Sequence, residues 1–126
     1  MNLNGLPVLV VEDDPDARML FEFVLTHCGA AVRAAPSARE ALAACSETPP
    51  ALIVSDLGMP DMDGFELLEA LRASEARDIP VIAVTGFSDY SERARTAGFS
   101  DFLTKPVDPS ILCERVARHA RPSDTL

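Results

Sequence analysis

Apolar residues come in short dense blocks, separated by longer stretches in which they recur every three or four positions. The blocks are residues 6–11, 31–35, 51–55, 80–84 and 100–104. The first is almost unbroken by polar side chains, as in a strand covered on both faces. After it, Asp14-Pro15 pairs an N-cap residue with proline at the first helical position. A helix therefore starts near Pro15, carries Ala17, Leu20, Phe21, Val24 and Cys28 at helical spacing, and stops at Gly29. Ser37, with Glu40 three residues on, has the capping-box pattern and opens a second helix that runs through Ser46, before Pro49-Pro50 closes the unit. Beyond the third block, a loop over residues 58–64 leads into a helix from about 65 to 73. The scheme then repeats, with a strand at 81–84, a helix at 89–97 stopped by Gly98, a strand at 101–103 and a helix at 109–120. This alternation predicts βαβ units around a parallel five-stranded sheet, a single α/β domain over residues 1–121, and a short polar tail at 122–126.

Polar residues close four of the blocks. Asp13 follows 6–11, Asp56 follows 51–55, Thr85 follows 80–84, and Lys105 follows 100–104. In an open parallel sheet the loops at the carboxyl ends of the strands line one crevice. That crevice would hold carboxylates, a hydroxyl and an ammonium. Carboxylate oxygens suit a hard cation such as magnesium, and Thr85 and Lys105 suit the oxygens of a phosphoryl group.

Composition narrows the classes. A chain of 126 residues, 48% hydrophobic and 25% charged, fits one folded domain rather than a disordered segment. Its formal net charge of −9 argues against nucleic acid or an anionic membrane surface as partner, because both require a positive patch. The three cysteines, Cys28, Cys45 and Cys113, are odd in number and lack metal-ligand spacing, so they are expected to be reduced helix residues in a cytoplasmic protein. No charged and then apolar leader opens the chain, and no apolar stretch reaches membrane-spanning length. Asp14 and Asp63 read as helix-start and turn residues, and His27 and His119 as surface or capping histidines near helix C-termini. Met19 and Phe23, four apart on a face distinct from Leu20, Phe21 and Val24, are expected to be exposed and to meet a partner.

The motifs Val8-Leu9-Val10-Val11-Glu12-Asp13-Asp14, Asp56-Leu57-Gly58-Met59-Pro60-Asp61-Met62-Asp63-Gly64, Val84-Thr85-Gly86 and Lys105-Pro106 resemble those of the receiver domain of two-component response regulators. They occur in that family's order and span essentially the whole chain. The resemblance implies a doubly wound (βα)5 flavodoxin-like fold with strand order 2-1-3-4-5. It implies phosphoryl transfer to Asp56 from a histidine kinase or a histidine phosphotransfer protein, with magnesium as cofactor. Matching positions assign Asp13, Asp56 and the Gly58 carbonyl to the metal, with Glu12 acting through water. Thr85 and Lys105 match the phosphoryl-binding pair, Thr85 and Phe102 the switch pair, and the Lys105-Pro106 bond is expected to be cis. The responding surface would be that of the fourth helix, fifth strand and fifth helix, on a monomer or a weak phosphorylation-dependent dimer.

Two other classes fit these residues less well. A magnesium-dependent phosphohydrolase working through an aspartyl-phosphate often carries a second acid two residues after its nucleophile, where this chain has Gly58. A pseudo-receiver that binds partners without phosphorylation would leave Asp13, Asp56, Thr85 and Lys105 idle. The wording around Asp56 also looks like receivers attached to hybrid histidine kinases, so both a stand-alone regulator and a receiver from a larger chain fit. Gly58 and Phe87 lack the amide or carboxylate that would align a hydrolytic water, which predicts slow self-dephosphorylation.

Overall fold

In the computed structural model, which describes residues 3–120, five strands pair in parallel: Pro7–Val11 (β1), Ala31–Ala35 (β2), Leu52–Asp56 (β3), Val81–Thr85 (β4) and Asp101–Thr104 (β5). Their order is β2-β1-β3-β4-β5, as expected, and the proposed tail at 122–126 lies outside the described residues. The helices between them are Pro15–His27 (α1), Ala38–Glu47 (α2), Gly64–Arg72 (α3), Ser91–Ala97 (α4) and Pro109–His119 (α5).

Side chains alternate across a pleated strand, so each inner strand feeds two cores. Leu9, Val11, Ile53, Val81 and Ala83 pack on one face with Leu67, Leu68 and Leu71 of α3 and Ala94 of α4. Val8, Val10, Leu52, Val54, Ile82 and Val84 pack on the other with Phe21 and Leu25 of α1 and Leu112 and Val116 of α5. Each large side chain so buried contributes roughly 1.5–3 kcal/mol. The edge strands β2 and β5 are only partly covered, which is why their sequences are less apolar.

Capping follows the sequence closely. The Asp14 carboxylate accepts from the Ala17 N–H at 3.0 Å, and Ser37 accepts from Glu40. Asp63 and Glu66 bond reciprocally as a complete capping box at the start of α3. The fourth helix departs from expectation. Residues 88–90 form a separate 3-10 turn before α4, and neither start carries a side-chain cap. Strands β3 and β4 run one residue past the apolar blocks, because Asp56 and Thr85 keep their backbone register beside Val84 and Thr104.

Three expectations are corrected. Leu20 is 57% exposed, because α1 rests on the sheet through Phe21 and Leu25, and Leu20 is turned to the rim of the gap between α1 and α5. His119 is more than a surface residue, since its Nε2 lies 2.9 Å from Asp101 Oδ2 and Arg115 grips the same carboxylate. Cys28 and Cys113 are joined in a disulfide across 85 positions of sequence, with Cα atoms 6.7 Å apart. The topology sets α1 and α5 side by side on one face, and nothing in the cysteine spacing discloses that.

Candidate functional site

The carboxyl ends of β1, β3, β4 and β5 come together as the strand order requires. Backbone bonds fasten the rim: Leu57 N–H donates to Val84 at 3.1 Å, and Lys105 N–H to Thr85 at 2.8 Å. Gly64 is held against the end of β3, its N–H donating to the Leu57 carbonyl at 2.9 Å. A Cβ there would stand 2.8 Å from the Asp56 carbonyl oxygen, so only glycine lets the loop close this tightly under the site. The Lys105-Pro106 bond is cis, as expected.

Oxygens of Glu12, Asp13 and Asp56 lie within 4.8 Å of one another. Glu12 is fully buried, Asp56 is 9% exposed, and Asp13 faces solvent. Burial pushes the Glu12 carboxyl up to about 7, the Asp56 carboxylate adds to that, and Lys105 opposes it. The Lys105 ammonium sits 2.6 Å from Glu12 and 3.6 Å from Asp56. Burial pulls its pKa down, but the two carboxylates outweigh burial and hold it above the ordinary lysine value. Three crowded acids facing one ammonium leave negative charge uncompensated, and an all-oxygen donor set suits a hard divalent cation. Magnesium fits these residues.

Thr85 is 3% exposed, and its Oγ1 accepts from the Phe87 N–H at 3.3 Å. Phe102, half-buried, packs against the core that contains Ala94 and Phe99. Phe87 is 67% exposed and meets Tyr90 edge-on. Glu12, Asp13, Asp56 and Lys105 are thus brought together, and Thr85 ends the strand that pairs with that of Asp56 and accepts from the Lys105 N–H through its carbonyl. Arg18 is a neighbour that the sequence reading did not single out. From α1 its Nη1 donates to the carbonyls of Glu12 at 2.9 Å and Asp13 at 3.3 Å.

Residues 8–117 match the response regulator receiver domain family, nearly the whole described chain. The chain belongs to that family. Receiver domains are signalling switches thrown by phosphorylation, not enzymes in the usual sense. This receiver is 44% identical to an uncharacterised 14.6 kDa protein of Leptolyngbya boryana, with 93% of this chain and 92% of that one covered. It is 36% identical to the transcriptional regulatory protein FixJ of Rhizobium meliloti over 88% of its own length, but spans only 55% of FixJ. Among solved structures it superposes on a putative response regulator from Chloroflexus aurantiacus with a TM-score of 0.85, at 30% identity and 90% and 95% coverage. The receiver domain of the Pseudomonas aeruginosa sensor histidine kinase PA1611, solved with magnesium in its active-site cleft, gives a TM-score of 0.84 at 28% identity, covering 91% of this chain and 97% of that one.

Proposed function

We propose that this receiver accepts a phosphoryl group on Asp56, from a histidine kinase or a histidine phosphotransfer protein, with magnesium bound. The observation that carries the proposal is the Asp56 carboxylate at the end of a buried strand, within 4.8 Å of the Glu12 and Asp13 oxygens and 3.6 Å from the Lys105 ammonium. Asp13, Asp56 and the Gly58 carbonyl would hold the metal, with Glu12 acting through water. Bound magnesium supplies positive charge to the equatorial phosphoryl oxygens. An Asp56 oxygen forms the new bond to phosphorus as the bond to the donor nitrogen breaks, and Lys105 and Thr85 receive the phosphoryl oxygens. Incubation with acetyl phosphate and magnesium should add the mass of one phosphoryl group, and EDTA should prevent it. No mass gain with magnesium present would overturn the proposal.

Thr85 then moves toward the phosphoryl group and Phe102 turns inward, shifting an existing equilibrium at the surface of α4, β5 and α5. Phenylalanine has no hydroxyl to reward an outward rotamer. Beryllofluoride should therefore shift the NMR signals of Thr85, Phe102 and α4 together. Among the described residues no helix is long and apolar enough to cross a membrane.

The phosphorylated state should be long-lived, suiting a sustained signal or reverse transfer in a relay. A Cβ at Gly58 would meet nothing within 4 Å, and glycine has no side chain with which to direct a water. Phe87 offers an apolar ring where a polar group would align water. A Gly58→Asn, Phe87→Glu double variant should lose phosphoryl about tenfold faster, worth ~1.4 kcal/mol of barrier. Wild-type decay within seconds, or no acceleration in the variant, would count against these side chains as the clock.

The phosphodonor docks on α1. Met19 and Phe23 are each 67% exposed, and Leu20 adds a third apolar side chain beside a groove lined by Val24, Pro106, Val107 and Leu112. Met19→Glu and Phe23→Glu should slow transfer from the phosphoprotein donor roughly tenfold while sparing labelling by acetyl phosphate. Equal loss with both donors would point to damage at the site itself.

A further inference from the structure

Resting on the magnesium-bound reading above, we infer that Arg18 is a positioning residue: its guanidinium sets the backbone of the acidic loop, and through it the affinity of the crevice for a divalent cation. Each residue of that loop is fastened differently. The Glu12 N–H is tied to the Ala35 carbonyl at 3.1 Å, and Asp14 is committed to capping α1. Asp13 is exposed on the short span between them. The Arg18 Nη1 bridges its carbonyl at 3.3 Å and that of Glu12 at 2.9 Å. Arg18 is itself half-buried and sits on the second turn of α1, so the donor is anchored in a packed helix.

Two effects of this cation oppose one another. As a positive charge near the crevice it repels a metal ion, and as a forked donor it holds two ligand-bearing residues in place before the metal arrives. The sign of the change on removing Arg18 separates them. A carboxylate that must be ordered on binding lowers affinity, and loss of an outer partner that orients a ligand commonly costs 10–100-fold. Charge repulsion from a half-buried guanidinium is softened by solvent and salt. Positioning should therefore win.

The test is calorimetric titration of magnesium chloride into the metal-free protein. Arg18→Ala should raise the dissociation constant about tenfold. Arg18→Met should raise it by a similar factor, since it keeps an apolar stem and removes the nitrogen that donates to both carbonyls. Labelling by acetyl phosphate should return toward the wild-type rate at saturating magnesium. An arginine with only a structural role would lower the unfolding midpoint in EDTA and leave the dissociation constant of the folded protein alone. An unchanged constant in Arg18→Ala overturns the inference, and a tighter one does so by showing that repulsion dominates. Should Arg18→Ala fail to fold, a wild-type constant in Arg18→Met is enough to overturn it. No magnesium binding by the wild-type chain would overturn the underlying reading and the inference together.

Discussion

Asp56→Asn should abolish phosphoryl uptake while leaving the fold intact. The replacement has the same shape, and it removes one of three crowded carboxylates whose mutual repulsion is only partly offset by Lys105. What is lost is the nucleophile: an amide oxygen does not form a stable bond to phosphorus under these conditions. Neither neighbour is placed to substitute. Glu12 is fully buried with Lys105 at 2.6 Å, and Asp13 stands exposed at the outer edge of the cluster. Intact mass after acetyl phosphate and magnesium should show one added phosphoryl group on the wild type and none on the variant. Uptake equal to wild type would sink the assignment of Asp56. The unfolding midpoint in EDTA should stay within a few degrees of wild type, because relief of carboxylate repulsion offsets the lost contact with Lys105.

Reduction of the Cys28–Cys113 disulfide should lower stability markedly without touching the site. The bond closes a loop across 85 positions of sequence and ties the end of α1 to the middle of α5. Constraint of the unfolded chain by such a link stabilises the native state by about 2–4 kcal/mol. Protein isolated without reductant and then denatured should show one reactive thiol, Cys45, and all three cysteines after dithiothreitol. Burial pushes the Cys45 thiol up despite the nearby Arg33, so that residue should not compete for the pairing in the folded state. Dithiothreitol should lower the wild-type unfolding midpoint and leave Cys28→Ser unaffected. Three reactive thiols in the unreduced denatured protein would refute the pairing.

The sequence alone determined the architecture and the membership of the crevice. Apolar blocks without interruption mark strands buried on both faces, and Asp14 and Ser37 mark helix starts, because both signals depend on neighbours a few residues away. Residues that end parallel strands line the same edge of the sheet, so Asp13, Asp56, Thr85 and Lys105 could be assigned to one crevice from the sequence. The start of the fourth helix was less legible. It lacks a side-chain cap, and the chain takes a 3-10 turn first.

Only the tertiary structure decided the rest. Whether Leu20 faces the core depends on how α1 is rotated on the sheet, and a shift of one position along a helix turns a side chain through about 100°. The partnering of Cys28 with Cys113, of His119 with Asp101, and of Lys105 with Glu12 more closely than with Asp56 joins residues far apart in the chain. So too, over a shorter span, does the reach of Arg18 back to the acidic loop. Local patterning carries no record of such contacts: they arise when helices settle against a sheet, where distances of an ångström or two separate a bond from none.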